Sequence, residues 1–362
     1  MSKTINVNDG RGADYDIRIS NGFQELSELL KPFLNTGRKT VIVSDSNVYP
    51  IYGEEIKKLI TDCGAFCESF VFPAGEESKT LDTVKELYGF LIDNKMERRD
   101  LLIALGGGVV GDLTGFGAAT YLRGIDFIQI PTSLLAQTDS SIGGKTGVDL
   151  NDYKNMVGAF HQPKLCFMNM DTVKTLEKKQ VLSGLGEIIK SALIKNKDFY
   201  EWLCNNRESV LSLNPEALNH MIEQTCLIKR DVVRKDPKEQ GERALLNFGH
   251  TLGHAIEKAC GFTLTHGECV VLGMIGAMKI SQDRGMISKD EREIFTELIK
   301  ACGYTMKIYG LEKEKIMEYT RSDKKMEAGV LKFILLDGIG NGVIVRDVTC
   351  DEISRALEEV LE

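Results

Sequence analysis

The chain has 362 residues, 43% of them apolar and 27% charged, and a formal net charge of −8. That length favours two domains over one core, and the acidic balance argues against a non-specific nucleic-acid binder, which needs a basic surface. No run approaches the roughly 18 uncharged apolar residues of a membrane span.

In chain order, Met1-Ser-Lys-Thr-Ile-Asn-Val lacks the basic-then-apolar build of a signal peptide, so a cytoplasmic protein is expected. Nine scattered cysteines, with Cys63-x3-Cys67 as the only close pair, read as reduced thiols and not as a zinc framework. Short β-branched runs at 40–44, 69–72, 101–105, 127–130 and 165–168 alternate with amphipathic segments such as 80–94. That alternation predicts βα units and a mainly parallel sheet. Beyond residue 171, helical periodicity dominates at 181–195, 216–235, 245–260, 268–284 and 290–301. Strands at 331–336 and 342–345 interrupt it, around a turn at Asp337-Gly-Ile-Gly-Asn-Gly. The expected architecture is therefore an α/β nucleotide-binding domain over 1–172, a Rossmann-like variant, followed by a mostly α-helical domain over 173–362 for metal and substrate.

Leu101-Leu-Ile-Ala-Leu105 runs into Gly106-Gly-Gly-Val-Val-Gly111-Asp112 and then an apolar segment. This is G-x-G-x-x-G in its required context, a strand before and a helix after, where glycines let the backbone approach a pyrophosphate. Two details depart from an ordinary dinucleotide fold. The motif lies about a hundred residues into the chain, and the acid about twenty positions on, Asp126, begins a strand where a ribose-binding acid should end one. Asp45, closing Val41-Ile-Val-Ser-Asp45 and followed by Asn47, fits that task better. A second strand exit, Phe72-Pro-Ala-Gly75-Glu76-Glu-Ser-Lys79, offers charges at another strand's carboxyl end. Gly143-Gly-Lys145-Thr146 is not a phosphate loop, because Asp139 stands where Walker A needs its first glycine. It reads instead as a flexible anion-binding lid, with Lys154-Asn155 downstream.

Three of the five histidines fall within seventeen residues, in Asn247-Phe-Gly-His250-Thr-Leu-Gly-His254 and His266-Gly-Glu268. If 245–260 is one helix, Asn247, His250, His254 and Glu257 share a face. Two histidines four apart could both hold one metal, but the general-base Glu of H-E-x-x-H is missing, so one ligand plus one acid/base is plausible instead. Glu187 and Lys190, one turn apart in an apolar stretch, supply a carboxylate; Glu/His/His with an open position is a catalytic zinc pattern. Arg123, Lys145, Lys154, Lys190, Lys229 and Arg243 lie in or beside these motifs, which suits an anionic substrate.

Taken together, Gly106–Asp112, Tyr121-Leu-Arg123-Gly, Pro131 through Gly147, Lys154-Asn155, Glu187-Ile-Ile-Lys190, Leu246 through His254 and His266-Gly-Glu resemble 3-dehydroquinate synthase, in consistent order from about Asp45 to Leu336. The resemblance implies conversion of 3-deoxy-D-arabino-heptulosonate 7-phosphate to 3-dehydroquinate and phosphate, the second step of the shikimate pathway toward chorismate and the aromatic amino acids. It implies bound NAD, one divalent metal (zinc or cobalt), a site between the two domains and a homodimer. The chemistry would be transient oxidation, phosphate elimination, re-reduction, ring opening and aldol closure, with NAD regenerated. The residues it implies for the metal are Glu187, His250 and His266. For NAD they are Asp45, Asn47, Glu76, Lys79, Gly107, Gly108, Val109, Val110, Gly111, Asp112, Thr132, Ser133, Lys145, Lys154, Thr172 and Thr175. For substrate and catalysis they are Asp139, Lys145, Lys154, Asn155, Lys190, Lys229, Arg243, Asn247 and His254, with Arg123 reaching a neighbouring subunit's substrate. Either Lys324 or Lys325 takes a further lysine position. His254 and Asn247 suit proton handling and oxyanion contact.

The lid departs from the family pattern, with Asp149 and Asp152-Tyr153 where Asn and Gly are common. Competing readings are another sugar-phosphate cyclase, of valiolone or inosose type, and a metal-dependent glycerol-phosphate dehydrogenase.

Overall fold

The computed structural model describes residues 2–8, 14–34, 37–151, 153–261, 263–326 and 331–362, with the backbone alone from 322 to 326. The side chains of Lys324 and Lys325, and the whole of Asp152, thus lie outside the described residues. The chain divides into two compact units: Met1–Leu176 with Lys229–Lys238, and Glu177–Ile228 with Glu239–Glu362. The first unit runs past the expected limit at 172, through a 3-10 helix at Met170–Thr175. It also takes back 229–238, where the Lys229 ammonium is bonded to Asp139.

Strands of the first unit are β1 (Lys3–Asn8), β2 (Asp14–Ser20), β3 (Lys39–Asp45), β4 (Phe66–Phe72), β5 (Leu101–Gly106), β6 (Asp126–Pro131), β7 (Lys145–Leu150), β8 (Tyr153–Phe160) and β9 (Leu165–Asn169). Its helices are α1 (Leu26–Leu30), α2 (Glu54–Asp62), α3 (Leu81–Asp93) and α4 (Gly108–Thr120). Among the described residues, seven strands form one sheet in the order β1-β2-β9-β6-β5-β3-β4, parallel except for the β1–β2 hairpin. Alternation along β3 and β5 sorts the core onto two faces. Ile42, Leu101, Ile103 and Leu105 pack on α1 and α2 through Leu26, Leu30, Ile56 and Ile60. Val41, Val43, Leu102 and Ala104 pack on α3 and α4 through Val84, Leu87, Val110 and Leu113. The neighbouring strands β3 and β5 therefore send their following helices to opposite faces. This is the topological switch point, where ligands of open α/β sheets bind.

The segment expected to be a flexible lid is instead a two-stranded hairpin, β7 on β8, with Lys145 opposite Phe160 and Leu150 opposite Tyr153. Thr146, Gly147 and Val148 are buried on its inner side. Contact with α4 is so close that a Cβ on Gly115 would stand 2.3 Å from Thr146 Cγ2.

The second unit holds α5 (Lys178–Lys195), α6 (Lys197–Asn205), α7 (Arg207–Leu211), α8 (Pro215–Lys235, to Ile228), α9 (His250–Ala259), α10 (His266–Asp283), α11 (Lys289–Cys302), α12 (Lys313–Met326), the hairpin β10 (Phe333–Leu336) with β11 (Gly342–Val345), and α13 (Cys350–Glu358). α10, buried along most of its length, packs on α5, α9, α11 and α13. The helix expected over 245–260 is not continuous. A 3-10 helix at Glu242–Asn247 ends at Phe248, and Gly249 takes a left-handed φ of 78° before α9 begins. The break lets the backbone at 249 rest on α10, where a Cβ would lie 2.7 Å from the Val270 carbonyl oxygen. Asn247 consequently does not share the helix face of His250, His254 and Glu257. Among the described residues no helix is long and apolar enough to cross a membrane.

Candidate active site

In the first unit, Gly106 ends β5 and Gly107 caps α4 in an extended conformation. A Cβ on Gly106 would stand 2.5 Å from Val110 Cγ2, and one on Gly111 would stand 3.0 Å from Gln129 Oε1. Those glycines are thus required for the tight turn and for helix–strand packing, and the leading N–H groups of α4, from Gly108 through Val110, are left without intrahelical partners. Thr132 closes the neighbouring strand exit, its N–H donating to the Gly106 carbonyl at 2.9 Å. The Ser133 hydroxyl accepts the Ala136 N–H at 3.2 Å.

Across the switch point, the Asp45 carboxylate accepts the N–H groups of Asn47 and Val48 at 2.8 and 2.9 Å. Asp126, by contrast, pairs with Arg38 at 2.6 Å at the start of β6, a purely structural use. Lys79 is buried; its ammonium donates to Asp112 Oδ2 at 2.7 Å and to Asn155 Oδ1 at 2.6 Å. Burial alone would lower its pKa, but the Asp112 and Glu76 carboxylates more than reverse this and keep it charged. Glu76 Oε1 is 3.9 Å from both Lys79 and Lys154. Asn155 has a left-handed φ of 56°, and its N–H donates to Asp149 Oδ1 at 2.7 Å. The lid's departure at 149 thus keeps an acceptor that an Asn would also provide. Lys229 pairs with Asp139 Oδ1 at 2.6 Å.

Thr172 is buried, its hydroxyl donating to the Asn169 carbonyl and accepting from Gln137, while Thr175 bonds the Thr172 carbonyl and Tyr52. Arg123 is exposed, in a turn where Leu122 and Arg123 both have positive φ, 49° and 69°. Such strain in non-glycine residues persists only where the surroundings enforce it.

In the second unit, α5 and α10 meet backbone to backbone through Gly186 and Gly267, which brings Glu187 beside His266. Glu187 Oε1 lies 3.6 Å from His250 Nε2 and 3.7 Å from His266 Nε2. Lys190 pairs with Glu187 Oε2, and both side chains are almost wholly buried. Even so, neither Glu187 oxygen has a hydrogen bond of acceptable geometry among the described residues. A buried carboxylate that faces two imidazole nitrogens through Oε1, with Lys190 on Oε2, fits a divalent cation. Its oxygen–nitrogen separations are close to the ~3.4 Å edge of a tetrahedron with bonds of about 2.1 Å.

The ring nitrogens of His250, His254 and His266 also come within 4.8 Å of one another, so His254, which is exposed, borders the same point. Burial, reinforced by Lys190 and by the other two imidazoles, pushes the His250 pKa well below its ordinary value and leaves the neutral, ligating form. Asn247, although off the helix, donates from Nδ2 to Glu239 Oε1 at 3.0 Å, and Arg243 is buried in the preceding 3-10 helix. Sequence reasoning gave Glu239 no role. Its left-handed φ of 57° was invisible in the residue string.

Residues 69–183 match the family model described as 3-dehydroquinate synthase N-terminal, and residues 184–326 match 3-dehydroquinate synthase C-terminal. A curated 3-dehydroquinate synthase of Acetivibrio thermocellus is 43% identical over 331 residues, 91% of each chain. A 2-deoxy-scyllo-inosose synthase solved with carbaglucose-6-phosphate, NAD+ and Co2+ superposes with a TM-score of 0.89 at 27% identity, covering 99% of this chain and 100% of that one. A 2-epi-5-epi-valiolone synthase from Streptomyces hygroscopicus subsp. jinggangensis 5008, solved with NAD+ and Zn2+, gives 0.88 at 26% identity over 96% and 97%. With both halves matched and that identity sustained along the chain, the protein belongs to the 3-dehydroquinate synthase family.

Proposed function

We propose that the chain converts 3-deoxy-D-arabino-heptulosonate 7-phosphate to 3-dehydroquinate and phosphate, as a phosphate-eliminating cyclase of the shikimate pathway. The observation that carries this beyond family membership is the buried Glu187 carboxylate facing His250 and His266. When bound, NAD supplies a reversible hydride acceptor and zinc or cobalt polarises substrate oxygens.

The chain's own residues then divide the remaining work. Glu187, His250 and His266 would hold the metal, with Lys190 beside Glu187 offsetting its negative charge. The α4 N-terminus and Asp45 would grip the nucleotide's pyrophosphate and ribose. Lys79, held charged by Asp112, orients the Asn155 amide. Lys145, Lys154, Lys229 and Arg243 would bind carboxylate and phosphate. The exposed His254 imidazole would carry a proton to or from a substrate hydroxyl, and Asn247, oriented by Glu239, would donate to a developing oxyanion. Arg123 would serve a neighbouring subunit, which makes the working form a homodimer. A cytoplasmic setting is part of the proposal; buried thiols such as Cys67 and Cys166, pushed up to about 12 by burial, remain protonated there.

A second reading, a related cyclase acting on a sugar phosphate without a carboxylate, is not favoured: the two solved cyclases are 27% and 26% identical against 43% for the 3-dehydroquinate synthase. The test is product identification by 13C NMR with NAD and cobalt present. A carbocyclic 3-dehydroquinate signal matching the phosphate released supports the proposal. Turnover only of a ketose phosphate lacking the carboxylate rejects it in favour of the second reading.

A further inference from the structure

Glu257 is buried on α9, one turn beyond His254 and two beyond His250, and the metal and proton-transfer roles described above leave it unused. Its Oε2 lies 3.4 Å from His266 Nδ1, while the opposite ring nitrogen, Nε2, faces Glu187 Oε1 at 3.7 Å. His250 shows the same division of its ring. Nδ1 meets the Phe248 carbonyl at 3.1 Å, and Nε2 faces the same Glu187 oxygen at 3.6 Å. A neutral imidazole has one N–H to place, and an acceptor at Nδ1 draws it there and leaves the Nε2 lone pair for a cation.

The backbone performs that service for His250, because the 3-10 helix ends beside it. His266 is the first residue of α10, whose Thr265–Glu268 capping box directs the local polar groups to the helix end. For His266 an acceptor at Nδ1 comes from α9, as the Glu257 carboxylate.

We propose that Glu257 is a positioning residue that fixes the tautomer and ring orientation of His266, holding Nε2 toward the metal centre. This rests on the reading of Glu187, His250 and His266 as ligands. Glu257 touches neither substrate nor metal; it acts through His266.

The test uses the full-length protein stripped of metal and titrated with Co2+ against a competing chelator, comparing the parent with Glu257→Ala, Glu257→Gln and His266→Ala. Glu257→Ala should weaken cobalt affinity about 10- to 100-fold. Glu257→Gln, which keeps length and a neutral acceptor, should lose about 3- to 10-fold, a partial rescue that a merely space-filling role would not grade this way. Long-range 1H–15N spectra of the metal-free parent should show His266 with its proton on Nδ1, and Glu257→Ala should lose that preference. Cobalt affinity within twofold of the parent in the Gln variant, with an unchanged His266 tautomer in whichever variants fold, overturns the proposal if His266→Ala has lost cobalt. If His266→Ala itself binds cobalt as the parent does, the ligand reading fails first and the positioning role fails with it.

Discussion

Gly267 and Ser183 are packed backbone against backbone: a Cβ on Gly267 would stand 2.1 Å from the Ser183 carbonyl oxygen, and the Gly267 N–H donates to Ser183 Oγ at 3.1 Å. This crossing sets the distance between Glu187, one turn further along α5, and His266, the residue before Gly267. Gly267→Ala must push the helices apart, since the obstructing atom is backbone. Overpacking of this kind costs about 1–3 kcal/mol. The expected result is a lower urea midpoint together with weaker cobalt binding, although no ligand is changed. Loss of stability with cobalt affinity intact would mean that the crossing does not set the site.

Lys79 and Asp112 form a buried ion pair, so removing one partner strands the other. Lys79→Met should lose about 3–5 kcal/mol in chemical denaturation. Lys79→Met/Asp112→Leu should lose less than the sum of the two single changes, because the uncompensated charge is gone. NAD affinity, measured by calorimetry, should fall in both variants, since both lose Lys79, assigned to the nucleotide, and its 2.6 Å bond to Asn155.

His250→Ala removes one of two imidazoles facing Glu187 and should abolish stoichiometric cobalt or zinc in the purified protein, measured by elemental analysis. The apo fold should survive, because His250 stands at the first position of α9, where its ring meets His254, His266 and Glu187. Unchanged metal content would remove His250 from the ligand set.

How much of this was legible beforehand differs by element. The parallel strands at 101–105 and 127–130 and the glycine turn announced themselves, because a buried parallel strand is a continuous apolar run and the turn's glycines answer to sterics. The β1–β2 hairpin was equally legible in Asp14-Tyr-Asp-Ile-Arg-Ile-Ser20, whose alternation places Tyr15, Ile17 and Ile19 inward, yet it went unread. The break at Phe248–Gly249 was hidden, since helical periodicity runs straight through it and only packing on α10 demands it. The hairpin at 145–160 reads as a flexible lid in the sequence because Gly143 and Gly144 precede Lys145, and the glycines within it, Gly147 and Gly158, do not suggest a ladder. In fact they face each other across the ladder, where a Cβ on Gly158 would stand 2.3 Å from the Thr146 carbonyl oxygen. For the site, residue types with helical spacing were readable from the string. Glu187, 79 positions before His266, stands out as a charged residue beside Lys190 in an apolar stretch, and the motif resemblance then implies the same ligand set.

Stability should also carry a pH signature away from the site. Arg284 donates to Glu352 Oε1 at 2.6 Å and to Asp347 Oδ1 at 2.8 Å, tying the end of α10 to α13. That bonding, against the opposing effect of burial, lowers the Glu352 pKa to about 2 from an ordinary 4.5. A depressed carboxylate stabilises the fold fully above its unfolded pKa and stops doing so as pH falls through the folded one. Arg284→Ala should therefore cost about 1–3 kcal/mol at neutral pH. The gap from the parent should close between about pH 5 and pH 2. A gap independent of pH would assign the loss to packing.

The reaction proposed is a net redox-neutral elimination of phosphate, with NAD regenerated. The most direct measurement follows released phosphate and NADH absorbance together, with purified protein, NAD, cobalt and 3-deoxy-D-arabino-heptulosonate 7-phosphate. Many equivalents of phosphate per protein are expected, while NADH never exceeds the enzyme concentration. NADH rising in step with substrate consumed, or no phosphate released, would contradict it.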